Sequence, residues 1–218
     1  MLRKKLTKII KKVVMGVLIT ATLVGIGTPI FNAFAQSDNR PVVILDAGHG
    51  DFDPGCIGAD GTTEDSMNYE LTVQTKKELE SRGIKVIMTR GKDEFKTLGE
   101  RIRIANSHKE SKAYVSIHHN SSNRKAAMGA QVHYDYYNSQ GQKIAENMHK
   151  SLAEAVQTTD RGAIKSEYYT RHIVQPAVLI ETSFISNQSD LDKARNNRED
   201  IADAIADSIE SFVNGEIK

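Results

Sequence analysis

Three apolar runs in this 218-residue chain each lead into a side chain that can bind a metal or move a proton. Val42-Val43-Ile44-Leu45 gives way to Asp46-Ala47-Gly48-His49-Gly50, Ala113–Ile117 to His118-His119-Asn120, and Ala177–Ile180 to Glu181. Unbroken apolar runs of this length mark strands buried on both faces, as in parallel sheets. The carboxyl ends of such strands share one edge, where the ligands of open α/β sheets gather. His49, one of the paired histidines and Glu181 can therefore converge although they are far apart in sequence. Glu64, opening the helix after the first loop, can reach the same edge. Two imidazoles and a carboxylate suit zinc with its fourth position open, and a further carboxylate is the general base that such chemistry wants.

Each residue taken alone has a plainer use. A single histidine is usually structural or on the surface, and a glutamate at a helix start favours the macrodipole whatever else it does. Glu181 is harder to explain away, because an acid continuing a buried run is costly to desolvate unless it is used or paired. If its strand persists, His118 and His119 point to opposite faces, so at most one ligates, and spacing does not choose. His133, on an alternating stretch, is a candidate fourth site residue, with a wall-facing role the favoured reading. His108, His149 and His172 have no neighbours that suggest chemistry. There is no HExxH, no paired CxxC and no G-x-S-x-G elbow, and Ser183 lacks a triad context. Cys56, the only cysteine, follows Asp53-Pro54-Gly55 and reads as a small turn residue rather than a nucleophile.

The elements that must hold these residues alternate in type. Strands are expected at Pro41–Leu45, Val86–Met88, Ala113–Ile117, Gly129–Tyr136 and Ala177–Ile180. Between the first two, Asp46–Gly61 carries five glycines and Pro54, a density only a loop tolerates. Thr62 or Thr63 caps the helix that follows, Met67, Leu71 and Leu79 share its face, and Gly83 suits its end. Leu98, Ile102 and Ala105 mark another helix, and Ile144, Met148, Leu152 and Val156 a long amphipathic one. Ile201, Ile205, Ile209 and Phe212 line a C-terminal helix that packs on the sheet. Thr158–Gln175 reads as an irregular polar segment able to shape or cover a groove. Strands alternating with helices make a single α/β domain with a largely parallel sheet.

The N-terminus is read apart from that domain. Residues 1–12 carry six basic side chains and no acid, Val13–Ile26 follow without charge, and Ala33-Phe34-Ala35 fits a small-x-small cleavage site. Residues 1–35 are thus expected to be a secretory signal peptide, with 36–218 as the domain. The alternative is an uncleaved membrane anchor, since Val13–Phe31 can just span a bilayer. A membrane partner is expected only in that case. Without the leader, 23 basic side chains face 28 acidic ones, a net charge of −5. Such a domain has no electrostatic reason to bind nucleic acid, and no basic stripe with interleaved aromatics is present.

From Val42 to about Asp190 the chain resembles the zinc-dependent N-acetylmuramoyl-L-alanine amidases of the type-3 amidase group. The matching pieces are Asp46–Gly50 with Asp53-Pro54-Gly55, Glu64 with Asn68, and Met88-Thr89-Arg90. Leu98, Arg101, Ala105-Asn106, Ser116-Ile117-His118 with Asn120, and Pro176–Glu181 with Phe184 and Asn187 continue the match in order. The resemblance implies one zinc ion held by His49, Glu64 and His118, with Glu181 as catalytic acid/base. Asp46 and Asn120 become candidates for supporting the ligands or lining the substrate groove. The implied fold is a twisted sheet of about six strands flanked by helices, mostly parallel. The implied activity is cleavage of the amide joining N-acetylmuramic acid to L-alanine in peptidoglycan, in the cell envelope or outside the cell. Two departures flank the metal loop: Asp51-Phe52 replaces small residues, and Cys56 stands where alanine is usual. The competing readings are a zinc metallopeptidase acting on another peptide and a non-catalytic wall-binding protein of the same fold.

Overall fold

A computed structural model describes residues 38–217; the expected leader, residues 1–35, and the anchor reading of it lie outside the described residues. Val42–Ala47 forms β1, followed by α1 (Glu64–Ser81), β2 (Lys85–Met88), α2 (Leu98–Ser107) and β3 (Tyr114–Asn120). Then come β4 (Ala130–Tyr134), α3 (Ser139–Val156), β5 (Asp160–Lys165), a single 3₁₀ turn (Tyr169–His172), β6 (Ala177–Phe184), α4 (Gln188–Asn196) and α5 (Arg198–Val213). The strands make one six-stranded sheet in the order β2-β1-β3-β6-β4-β5. β1 is parallel to β2 and β3, β3 to β6, and β4 to β5; only β4 and β6 run antiparallel.

Side chains alternate across the two faces of the sheet. Val43, Leu45, Val115, Ile117, Val178 and Ile180 enter the main core, with Leu71 of α1, Met148 of α3 and Ile205 of α5. Full burial of each such side chain contributes about 1.5–3 kcal/mol. Ile44, Tyr114 and Ala177 face the other way, into a smaller cluster with Ala105 of α2 and Ile173. Asp46, Ser116, His118, Leu179 and Glu181 share that second face by the period of two. The face that carries the candidate site residues is therefore the one with the smaller apolar cluster.

Three expectations about the elements need correction. The central strands do not stop at their apolar runs: β1 continues through Asp46, β3 through His118 and β6 through Glu181. Polar residues on the second face end the hydrophobic pattern while the backbone ladder goes on. Part of Thr158–Gln175 is regular, because Asp160–Lys165 pairs with β4 as the edge strand. Thr63 stands at the cap position of α1 but makes no side-chain capping bond. Gly83, with φ 78°, does follow the end of that helix. Among the described residues no helix is long and apolar enough to cross a membrane.

Candidate metal site and its support

The loop after β1 turns back so tightly that His49 adopts φ 60°, in the left-handed region that disfavours side chains. Its carbonyl is held there by Arg101 Nη2 at 2.7 Å. Beside it, Gly48 leaves room for a ring: a Cβ at that position would stand 2.1 Å from the His118 imidazole. Gly55, at φ 65°, does the same for Glu64, since a Cβ there would stand 2.7 Å from its Oε2. Glycine at these positions lets three donors approach from a loop, a helix start and a strand.

His49, Glu64 and His118 each offer one ligand atom, and these atoms lie within 4.8 Å of one another. His118 Nδ1 is 2.9 Å and His49 Nε2 3.3 Å from Glu64 Oε1. Glu64 Oε2 accepts from the Cys56 backbone N–H at 3.0 Å, and His49 Nδ1 lies 2.9 Å from Asp53 Oδ2. The Glu64 carboxyl is held far below the usual carboxylate range, because hydrogen bonds from His118 and His49 and their charges outweigh its burial. Burial disfavours charge on His49 too, but Glu64 and then Asp53 raise it to about 9. The carboxylates that favour a proton here would favour a divalent cation by the same electrostatics.

Glu181 completes the cluster. It is the register neighbour of His118 on the adjacent strand, and its Oε2 is buried without a hydrogen-bond partner. Burial pushes its carboxyl up to about 7. A buried carboxylate oxygen without a partner is costly, and strong perturbation beside a donor cluster marks a candidate acid or base. The cleft over these residues has a volume of about 330 Å³ and is also lined by Leu98, Asn120, Tyr168 and Leu179.

The alternation within β3 separates the paired histidines. His119 points to the opposite face, where its Nδ1 lies 2.8 Å from Asn68 Oδ1 and burial lowers it to about 4. Asn68 in turn donates to Gly48 O at 3.2 Å and Glu64 Oε1 at 3.3 Å. Asn120 lines the cleft. His133 is buried on β4 and outside the donor group. His108 and His149 pair only with Glu110 and Asp160.

Asp46 lies behind the donor cluster, fully buried. Its carboxylate accepts from Arg101 Nη1, from the Thr89 hydroxyl, from Ser116 Oγ at 2.8 Å and from Tyr169 OH at 2.5 Å. Arg101 Nη1 also donates to Ala47 O at 2.8 Å. Arg90 adds Nε to Ala47 O at 2.8 Å and Nη2 to Gly48 O at 3.1 Å. Two guanidiniums thus fix the carbonyls of the loop that carries His49, and Asp46 fixes one guanidinium. Arg90, Arg101, Thr89 and Ser116 stand in the matched motifs, which do not state their role; an acid closing the apolar run at Asp46 is the one sequence signal that points to a nearby cation.

Residues 43–211 match the family described as N-acetylmuramoyl-L-alanine amidase, Amidase_3. The chain belongs to this family. Among its relatives, the N-acetylmuramoyl-L-alanine amidase LytC of Bacillus subtilis strain 168 is 30% identical over 192 residues, 86% of this chain but only 38% of LytC. The uncharacterized protein YqiI of the same organism is 34% identical over 183 residues, 82% of this chain and 87% of YqiI. The catalytic domain of CwlV, an N-acetylmuramoyl-L-alanine amidase from Bacillus (Paenibacillus) polymyxa, matches with TM-score 0.75 at 31% identity, covering 82% of this chain and 99% of that one. This amidase-family chain therefore spans little more than a third of LytC, yet nearly all of the CwlV catalytic domain.

Proposed function

We propose that this amidase is an exported, zinc-dependent peptidoglycan hydrolase that cleaves the amide between N-acetylmuramic acid and the L-alanine of the stem peptide. The observation that carries the reading is the convergence of His49, Glu64 and His118 beside the unpaired Glu181. Two imidazoles and one carboxylate fit zinc and leave it an open position. When bound, zinc supplies Lewis-acid polarisation of the scissile carbonyl and a nucleophile near neutral pH.

The chain's own residues do the rest. His49, Glu64 and His118 hold the ion; Asp53 orients the His49 ring from its far nitrogen, as such partners commonly do. Glu181, deprived of other partners, takes the proton of the attacking water and passes it to the leaving amine. Export rests on the basic, apolar and A-x-A order of residues 1–35. Peptidoglycan lies outside the membrane, so the leader and the substrate agree.

Digestion of purified peptidoglycan with and without chelator, read by mass spectrometry, tests substrate, bond and metal together. The expected result is new L-alanine amino termini on the released peptides, with the glycan strands left intact, abolished by chelator and restored by zinc. Cleavage within the peptide would favour a metallopeptidase. Wall binding with no released peptide at saturating zinc would refute catalysis.

A further inference from the structure

The sheet face that carries His118 and Glu181 continues onto β4, where Gln131 stands opposite Glu181 and His133 opposite Leu179. Both side chains are buried and polar, and buried polar groups cost free energy unless they are bonded. Here they are bonded in series. Arg161 Nε donates to Gln131 Oε1 at 2.9 Å, Gln131 Nε2 lies 2.8 Å from His133 Nε2, and His133 Nδ1 lies 2.6 Å from Ser166 Oγ. An amide N–H can only donate, so Nε2 of a neutral His133 accepts and its Nδ1–H donates to Ser166. Burial keeps the ring neutral.

This fixed imidazole meets Tyr168 edge to face, with ring centroids 5.0 Å apart and planes at 90°. Tyr168 lines the cleft with Glu181, and 39% of its surface remains open to an occupant. The strand order places these parts along one line. The metal donors come from the β1 and β3 side, Glu181 from β6, and Tyr168 from over β4. In the amidase reading, on which this step rests, Glu181 protonates the leaving amine, so the peptide half of the substrate extends from Glu181 toward Tyr168.

We propose that Tyr168 is a substrate-positioning residue that packs against the stem peptide, and that His133 is a positioning residue acting only by orienting the Tyr168 ring. Neither residue is a metal ligand, and neither moves a proton in the reaction. Together they turn the antiparallel half of the sheet into the peptide end of the cleft.

The test is calorimetric binding of two soluble muropeptides to the zinc-loaded full chain carrying Glu181→Gln, which slows turnover enough for binding to be read. One ligand is N-acetylmuramic acid bearing a dipeptide and the other bears a pentapeptide. Adding Tyr168→Ala should weaken the pentapeptide about tenfold, as loss of one aromatic anchor does, and the dipeptide less than about threefold. Tyr168→Phe should restore binding. His133→Ala should act in the same direction, and should add nothing once Tyr168 is alanine. Equal losses on both ligands would overturn the peptide assignment, unchanged affinity would overturn the contact, and additive losses would overturn the indirect role of His133. Failure of either muropeptide to bind while Tyr168 is present would instead refute the amidase reading and, with it, this extension. Zinc content and melting midpoint, expected unchanged by Tyr168→Ala, separate positioning from folding.

Discussion

Asp46→Ala probes the support of the loop that carries His49 most directly. The substitution removes the acceptor of the Arg101, Thr89, Ser116 and Tyr169 donors. Ser116 and Tyr169 keep each other at 2.9 Å, and Tyr169 keeps Tyr114 at 3.0 Å, so their loss is partial. Arg101 loses its countercharge while buried, and breaking one side of a buried ion pair costs about 3–5 kcal/mol. It retains three carbonyls, Ala47, His49 and Lys96, which pulls the figure toward the lower end. The unmet Thr89 hydroxyl adds back about 1 kcal/mol. The expected loss is about 4 kcal/mol, or roughly 8–16 °C in melting midpoint for a domain of this size.

Guanidinium unfolding at pH 7 measures the loss, and a competing chelator measures zinc affinity, which should fall about 10–100-fold because Arg101 sets the His49 carbonyl. Combining the change with Arg101→Ala should give a coupling of at least about 2 kcal/mol. A loss under about 1 kcal/mol, or additive single effects, would refute the proposed support. The pH dependence has a definite sign. Burial raises the Asp46 carboxyl, but Arg101, Thr89 and Tyr169 together hold it below its ordinary 3.8. Its stabilisation is therefore present above that value and is lost as pH falls through the lower folded one. The gap between wild type and variant should close only in that acid range.

Three further outcomes follow from the site. Gly48→Ala brings a methyl to 2.1 Å from the His118 ring; zinc content should drop and activity with it, while the apo melting midpoint moves little. His49→Ala should likewise lose zinc, measured by elemental analysis after gel filtration. Glu181→Gln should keep zinc but lower turnover by about 10²–10⁴. Because burial raises Glu181 to about 7 and a bound cation lowers it, kcat/KM should fall on acidification below pH 7, and that limb should vanish in the glutamine variant.

The parts of the fold that sequence made legible are those where hydrophobic period and structure obey the same cause. β1, β3 and β6 were readable because both faces of their first halves are buried. Their second halves were not, since Asp46, His118 and Glu181 replace apolar residues on one face while pairing continues. The edge strand β5 is half exposed and rich in polar residues, so it carries neither an apolar run nor a clean alternation. A period of two separated His118 from His119, yet parity names no face until the helices are placed; α1, reaching His119 through Asn68, decides it. Arg90 and Arg101 spend most of their donors on backbone carbonyls, and a carbonyl leaves no trace in residue identity.

The same physics explains why the site sits where the pattern fails. On the main-core face each strand position is satisfied by any apolar side chain of suitable volume, so that face constrains composition but carries no chemistry. On the second face, every polar atom brought out of water needs a partner, and the partners chain together: Asp46 to Arg101, Arg101 to the His49 carbonyl, His49 to Glu64, Glu64 to His118. Glu181 Oε2 and Ser183 Oγ, which share that face by the period of two, are both buried without a partner, but it is Glu181 that stands in register with His118. Under the proposed reaction, the carboxylate oxygen left without a partner beside the donor cluster is the position where a substrate proton has somewhere to go.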